Sequence, residues 1–440
     1  MPRPSARPIL AVLSVVLLLA VSNGSAEDWP QWRGPDRDGI SEESIRDDLK
    51  ANPPTLIAMM DGMGQGYASL AIVDGDAYTT GNFPDGQKVI GIALDSPNSD
   101  AVGELLFATP LTDGPPKHGY DGSRCTPTVD GARLYVTGSD GQIACLDRIK
   151  GDILWQRDFA DFGGKMMSGW GFSESPLVDG ENVLCTPGGP DALVVCLNKT
   201  TGREVWRSAP EFAAEGGEEF QGKDGAGYAS LVISNAAGVK QYVGLSGRGA
   251  FGIRARDGEP LWTYNRVANP TANIPTPVTW DEADSVFVSS GYNDGGAALL
   301  KLTSRGETVS AEEAYWKPRQ EFQNHHGGMI RVGQYLYAGH RHNEGFPTCL
   351  DLETGEIVWG GSRNRGPGQG SAAITLVGDQ LLFRYQDGRV AFIEATPEAY
   401  RLTYDFMPDY QEGKSWAHPV VFDGVLYLRE QNKLMAYDVR

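Results

Sequence analysis

A motif returning at a fixed interval constrains this 440-residue chain more than any other feature. CTPTVDGARLYVTGSDGQIACLDRIKGDILWQRDF, from Cys125, and SPLVDGENVLCTPGGPDALVVCLNKTTGREVWRSA, from Ser175, follow one order. Each runs from an apolar strand through an Asp-Gly turn to a second apolar strand and a glycine-bearing hairpin. A third strand then ends in Asp or Asn, and a glycine-containing turn leads to a fourth strand carrying Trp. The turn after the first strand recurs at Asp74, Asp130, Asp179, near Asn235, near Asp281, and at Gly333, Gly378 and Asp423. From Asp74 to Asp423 is 349 residues in seven steps, about 50 per unit, the period of four-stranded propeller blades. A chain of this length otherwise divides into separate domains, whereas repetition builds one.

The fourth strand carries Gly-x-x-x-Trp at Gly151/Trp155, Gly202/Trp206, Gly258/Trp262 and Gly355/Trp359, with Phe replacing Trp at Gly103/Phe107. Glycine permits the left-handed turn between the third and fourth strands, and the aromatic packs toward the neighbouring blade. The last unit, AHPVVFDGVLYLREQNKLMAYDV, ends after three strands, and TLIAMM (Thr55 to Met60) supplies the fourth. Joining the two chain ends this way leaves no unpaired sheet edge. The expected fold is all-β: an eight-bladed β-propeller of four-stranded antiparallel blades over residues 53–440, closed by an N-terminal strand. Residues 27–52 are expected to run extended along the outside or bottom of the ring, with Trp29 and Trp32 as packing anchors.

Residues 1–26 have the pattern of an export signal: Arg3 and Arg7, an apolar run from Ile9 to Val21, and small residues up to Ala26. The expected location is therefore outside the cytoplasm, in the periplasm or the extracellular space. Thirty-eight basic residues against 57 acidic ones give a net charge of −19. That balance argues against nucleic acid and anionic lipid as partners, since both demand clustered Lys and Arg. Cys145, Cys196 and Cys349 occupy one repeat position and read as small core residues. Cys185 and Cys196 form a candidate disulfide across a hairpin.

Four of the six histidines lie in NHHGGMIRVGQYLYAGHRHNEGFP, as the pairs His325/His326 and His340/His342. In a four-stranded meander the hairpin between strands two and three emerges on the same face as the crossing into the next blade. That rule puts both pairs, together with His118 and His418 on other crossings, around the channel mouth, where Trp170 and Trp416 also fall. The glycine-rich crossings DGMGQGYAS, SGWGFSES, KDGAGYAS and RGPGQGS let backbone approach a ligand or a neighbouring loop. Three uses of this face compete. The imidazoles of His325, His326, His340 and His342 bind a metal, with Asn343 or Glu344 adding oxygen; or they hydrogen-bond loop backbone and lock the hairpin; or the face recognises an organic ligand or protein through His118, Arg124, Trp170, Asn343, Trp416, His418 and the two histidine pairs.

The units ending in CLDRIKGDILW, CLNKTTGREVW and CLDLETGEIVW resemble the repeats of the pyrroloquinoline quinone (PQQ)-like β-propeller proteins. DWPQWRGPDRDGIS, QNHHGG, GHRHNEGFPTC and SWAHPVV are similar to an exported bacterial branch of that superfamily. The resemblance implies a propeller fold and leaves two functions open. Some members are quinone-dependent alcohol and sugar dehydrogenases; others are non-catalytic scaffolds of outer-membrane protein assembly. The enzymes clamp PQQ between a Trp and a disulfide of adjacent cysteines, beside a Ca²⁺ ion and an Asp base. This chain has no adjacent cysteines. The leading expectation is an exported, non-enzymatic binding or scaffold propeller that recognises a protein or cell-envelope component through its histidine-bearing face. The alternatives are a PQQ- and Ca²⁺-dependent dehydrogenase and a metal-binding propeller.

Overall fold

The computed structural model describes residues 27–94, 103–212, 222–292 and 294–440. The expected export signal, 1–26, lies outside them. Eight antiparallel sheets of four strands, each in meander order, form eight blades. Blades 1 to 7 span 71–110, 128–158, 177–208, 232–264, 278–318, 324–359 and 372–406. Blade 8 joins 420–438 to the N-terminal strand Thr55–Asp61, which pairs antiparallel with Lys433–Asp438 and becomes the outermost strand. The ring closes as the three-stranded last unit requires.

The repeat's glycines and aromatics explain each other once neighbouring blades are placed. The aromatic of one blade covers the glycine turn of the next: Phe107 on Gly151, Trp155 on Gly202 and Trp206 on Gly258. Gly202 has φ +66°, and a Cβ there stands 2.7 Å from the Trp155 ring. Glycine is needed both for the turn and for the contact. Directly across the ladder from each aromatic sits a small residue: Gly91 opposite Phe107, Cys145 opposite Trp155, Cys196 opposite Trp206, Gly252 opposite Trp262 and Cys349 opposite Trp359. The repeated cysteines are therefore one choice of small side chain beneath a large ring. Burial pushes their thiols up, Cys145 to about 11 and Cys196 and Cys349 to about 12.

The candidate disulfide is not formed. All five cysteines are free and buried. Cys185 pairs with Val195 and Cys196 with Leu184, one step out of register. Since strand side chains alternate faces, the two sulfurs point into different inter-blade layers.

Residues 29–41 also depart from expectation. They start at the Asp-Gly turn end of the ring, as one alternative held, but they then cross the channel itself. Trp29 pairs with Ile72 of blade 1, and the Pro30 carbonyl accepts from Val129 of blade 2. Arg37 donates to the Ser175 and Pro176 carbonyls of blade 3, and Arg33 to the Met329 carbonyl of blade 6. Ile40–Ser41 then adds a parallel fifth strand to the inner edge of blade 7. Touching the inner edges of five blades, this segment forms a plug. Its guanidinium groups donate to backbone carbonyls at the inner edges of the blades, satisfying them away from water.

Candidate functional site

Above the plug, the channel opens toward the blade-crossing face as a well of about 290 Å³. Trp32 rises from the plug into it and meets His418 edge to face, ring centroids 5.9 Å apart. The histidine pair of blade 6 reaches the well by a bulge. Asn324 pairs with His340, yet the next ladder pair is Met329 with Ala338, so His325 to Gly328 loop out of the sheet. Asn324 pins the loop, its side-chain amide donating to the Gly328 and Gly339 carbonyls at 3.1 Å each. A bulge of this kind re-aims side chains out of the alternating pattern.

The imidazoles pack into a continuous aromatic wall. His325 lies 4.3 Å from His326 and 4.2 Å from His342, measured between ring centroids. Tyr292 closes on His342 at 4.5 Å, and His326 meets Trp416 at 4.7 Å. Trp416 in turn contacts Tyr67 and Tyr120, while Trp170 contacts Tyr228. His325 Nδ1 lies 2.7 Å from Ser371 Oγ, and His342 Nε2 accepts from the Asn343 amide. One nitrogen of each ring stays without a partner: His325 Nε2, His326 Nε2 and His342 Nδ1. The Lys414 ammonium sits at the mouth over the Tyr120 and Trp416 rings, 4.8 and 5.0 Å from their centroids. Among the described residues no carboxylate lines the well, despite the chain's strong negative charge.

Eight of the ten residues singled out by sequence for recognition line the well: Arg124, Trp170, His325, His326, His342, Asn343, Trp416 and His418, and the oxygen-ligand candidate Glu344 does not. The remaining two are corrections. His340 is buried behind the wall, stacked on Phe322, with Nδ1 accepting from the Gln323 backbone. His118 ties a crossing to the blade 2 hairpin, its Nε2 2.7 Å from Asp140 Oδ1. Arg124, though in the lining, is occupied by its own loops and donates to the carbonyls of Gly119, Tyr120, Gly122 and Trp170. Sequence reasoning missed Trp32, Tyr67, Tyr120, Tyr228, Tyr292 and Lys414. A signal existed for two of them, since Gly-Tyr-Ala-Ser recurs at Tyr67 and Tyr228 in separate crossings.

Burial holds the imidazoles neutral, lowering His326 and His418 to about 3, His340 to about 4, and pushing His325 and His342 down as well. In the unfolded chain histidine titrates near ~6.5. Below that pH the unfolded chain binds more protons than the folded one, so the histidine contribution is intact above ~6.5 and is lost as pH falls toward 3. Glu174 acts in the opposite sense: burial raises its carboxyl from 4.5 to about 7, which favours the folded state as pH falls through that interval. Burial raises the Asp38 and Asp76 carboxyls too, but the five histidines outweigh these carboxyls. The melting temperature is expected to fall between pH 6.5 and 5, before ordinary carboxylates protonate, and Glu174→Gln is expected to steepen the fall. Thermal unfolding followed by circular dichroism checks both; a flat profile over that interval contradicts the neutral assignment.

The residues do not fit a Ca²⁺-held quinone. Ca²⁺ takes six to eight oxygen ligands, mostly carboxylates and carbonyls, and among the described residues the well offers Trp faces without a carboxylate, in a chain without adjacent cysteines. The metal reading loses His340 to the core. Among the described residues no three His, Cys, Asp or Glu side chains come together to hold an ion, the well's imidazoles lying ring against ring.

A family model described as outer membrane protein assembly factor BamB matches residues 96–361. No curated protein matches the chain by sequence. Among solved structures, BamB from Moraxella catarrhalis aligns with TM-score 0.58 at 13% identity, over 88% of this chain and 97% of that one. Quinohemoprotein alcohol dehydrogenase from Comamonas testosteroni aligns with TM-score 0.61 at 12% identity, over 94% and 80%. Sqt1 from Saccharomyces cerevisiae aligns with TM-score 0.58 at 11% identity, over 88% and 99%. At these identities the structural likenesses establish the propeller alone, across proteins of unrelated function. No helix of the described residues is long and apolar enough to cross a membrane.

Proposed function

The chain belongs to the family described as outer membrane protein assembly factor BamB, and we propose that it is an exported binding propeller that captures a protein or other cell-envelope component on its histidine-bearing face. The observation that carries this reading is the well: rich in aromatic rings, without a carboxylate among the described residues of its lining, and lined by imidazoles that remain neutral. A catalytic acid or base works best with its pKa near the operating pH. His326 and His418, at about 3, are poor proton acceptors, and burial lifts the Tyr292 hydroxyl to about 12. Such a lining is suited to holding a group by stacking and neutral hydrogen bonds. Rigid aromatic anchors in a desolvated pocket are also where recognition energy concentrates.

The test presents the purified protein with envelope material separated into protein, lipid and polysaccharide fractions. Wild-type protein is expected to be retained by one fraction, and Trp416→Ala to weaken retention at least tenfold. Leu154→Ala, on an exposed outer strand, is expected to leave retention unchanged. Equal retention of wild type and Trp416→Ala contradicts the assignment of the face.

A further inference from the structure

We propose that the group received by the well is a uronic-acid unit of an acidic glycan, its ring held between aromatic faces and its carboxylate paired with Lys414. The inference rests on the binding reading above and names the chemistry of the component bound. It begins from charge. In a chain of net charge −19 the well has no acidic side chain among the described residues of its lining. Arg124 is spent on four backbone carbonyls. The Lys414 ammonium makes no ion pair or hydrogen bond with any described residue and rests against two ring faces, while the residue's carbonyl accepts from the Gln431 amide. One uncommitted cation in a low-dielectric, aromatic surrounding favours one negative charge. A phosphate, with more charge and more acceptor oxygens, asks for a second donor group that Arg124 does not have free.

The rest of the lining describes what bears the charge. Flat rings from Trp32, Trp416, Tyr67 and Tyr292 suit the apolar C–H faces of a pyranose. Between them lie hydroxyls, an amide and neutral imidazoles, each able to donate to or accept from a sugar hydroxyl. The unpartnered nitrogens of His325, His326 and His342 are part of this pattern. A buried nitrogen without a partner is unfavourable, so turning these rings toward a bound polyol gains hydrogen bonds at those positions. An aromatic acid would satisfy the rings and leave those nitrogens as they are. The volume, about 290 Å³, lies at the low end of ligand pockets, ~300–1,000 Å³, and suits one sugar ring. The exposed Tyr120 and Asn343 at the mouth leave a path for the rest of the chain.

Calorimetry and tryptophan fluorescence on the purified full-length protein test this with four probes: trigalacturonate, a hyaluronan tetrasaccharide, the methyl ester of trigalacturonate, and benzoate. At least one uronate is expected to bind. The ester, alike in shape but uncharged, is expected to bind at least tenfold more weakly than its acid. Lys414→Met is expected to weaken the uronate at least tenfold, bring acid and ester to equal affinity, and keep the wild-type melting temperature. The inference is overturned if neither uronate binds, if acid and ester bind alike to wild type, if Lys414→Met has no effect, or if benzoate binds and the uronates do not. Should the uronates fail while Trp416→Ala still abolishes retention on envelope material, the glycan inference falls alone. If Trp416→Ala has no effect there either, the binding reading falls with it.

Discussion

Glu430→Ala is expected to destabilise the protein by ~3–5 kcal/mol, the cost of leaving a buried charge without its partner. Glu430 and Arg384 are each 1% exposed in their side chains and pair at 2.7 Å across the joint between blades 7 and 8. The carboxylate also accepts from the Ser415 hydroxyl and, at 3.0 Å, from the Glu412 backbone. Arg384 donates to the Ala417 and Arg429 carbonyls. Removing the carboxylate strands a guanidinium where water does not reach. On the other side of blade 8, Arg429 donates to the Ala68, Thr80, Met63 and Gly64 carbonyls and the Thr79 hydroxyl, fastening it to blade 1. Blade 8 relies on these arginines for a reason written in its strands. Its outermost strand, Thr55–Asp61, has Met60 against Gly103 where other blades place an aromatic ring on the next glycine turn. Urea denaturation measures the loss. Arg384→Met combined with Glu430→Leu is expected to recover much of it, because the desolvation cost disappears together with the pair. A Glu430→Ala protein within 1 kcal/mol of wild type on that scale contradicts a charged, paired site.

The ring was legible in the sequence because its period is carried by residues whose roles are local and steric. Glycine at Gly202 and Trp at Trp206 mark a turn and a packing surface that no other residue types serve as well. Meander topology then turned a position in the repeat into a position on a face, which is why His325, His326, His342, His418, Trp170 and Trp416 were placed around one mouth. The misses have a common origin in interactions that leave no periodic trace. His118 and His340 follow the same topological rule as the others, but their direction is decided by Asp140 and by the Gln323 backbone. The plug was hidden more completely. Arg33 and Arg37 bond main-chain carbonyls, and a carbonyl is the same at every residue, so nothing in blades 3 or 6 signals the partner. Trp32 therefore reads in the sequence as an anchor along the outside or bottom of the ring, whereas it rises from the plug into the well.

Gly327→Ala is expected to have the second large effect, and it couples the ring to the site. In NHHGG the two histidines line the well while the two glycines fit the bulge against its surroundings. A Cβ at Gly327 falls 1.5 Å from the Ala372 carbonyl oxygen of blade 7, a backbone atom that cannot rotate aside. One at Gly328, where φ is +81°, falls 2.2 Å from the Arg33 guanidinium of the plug. Relief of the first clash requires blade 6 and blade 7 to separate, or the bulge to shift as a unit. Overpacking of this kind costs ~1–3 kcal/mol and sometimes more, and a backbone acceptor places it toward the upper end. Gly328→Ala meets the far end of a side chain instead, yet pays for left-handed backbone that alanine rarely adopts. Because His326 precedes Gly327 and rests on Trp416, displacement of the bulge is expected to change Trp416 fluorescence as well as lower the melting temperature. A Gly327→Ala protein that melts like wild type with an unaltered emission spectrum contradicts the contact between blades 6 and 7, and with it the account of why the histidine pair is followed by two glycines.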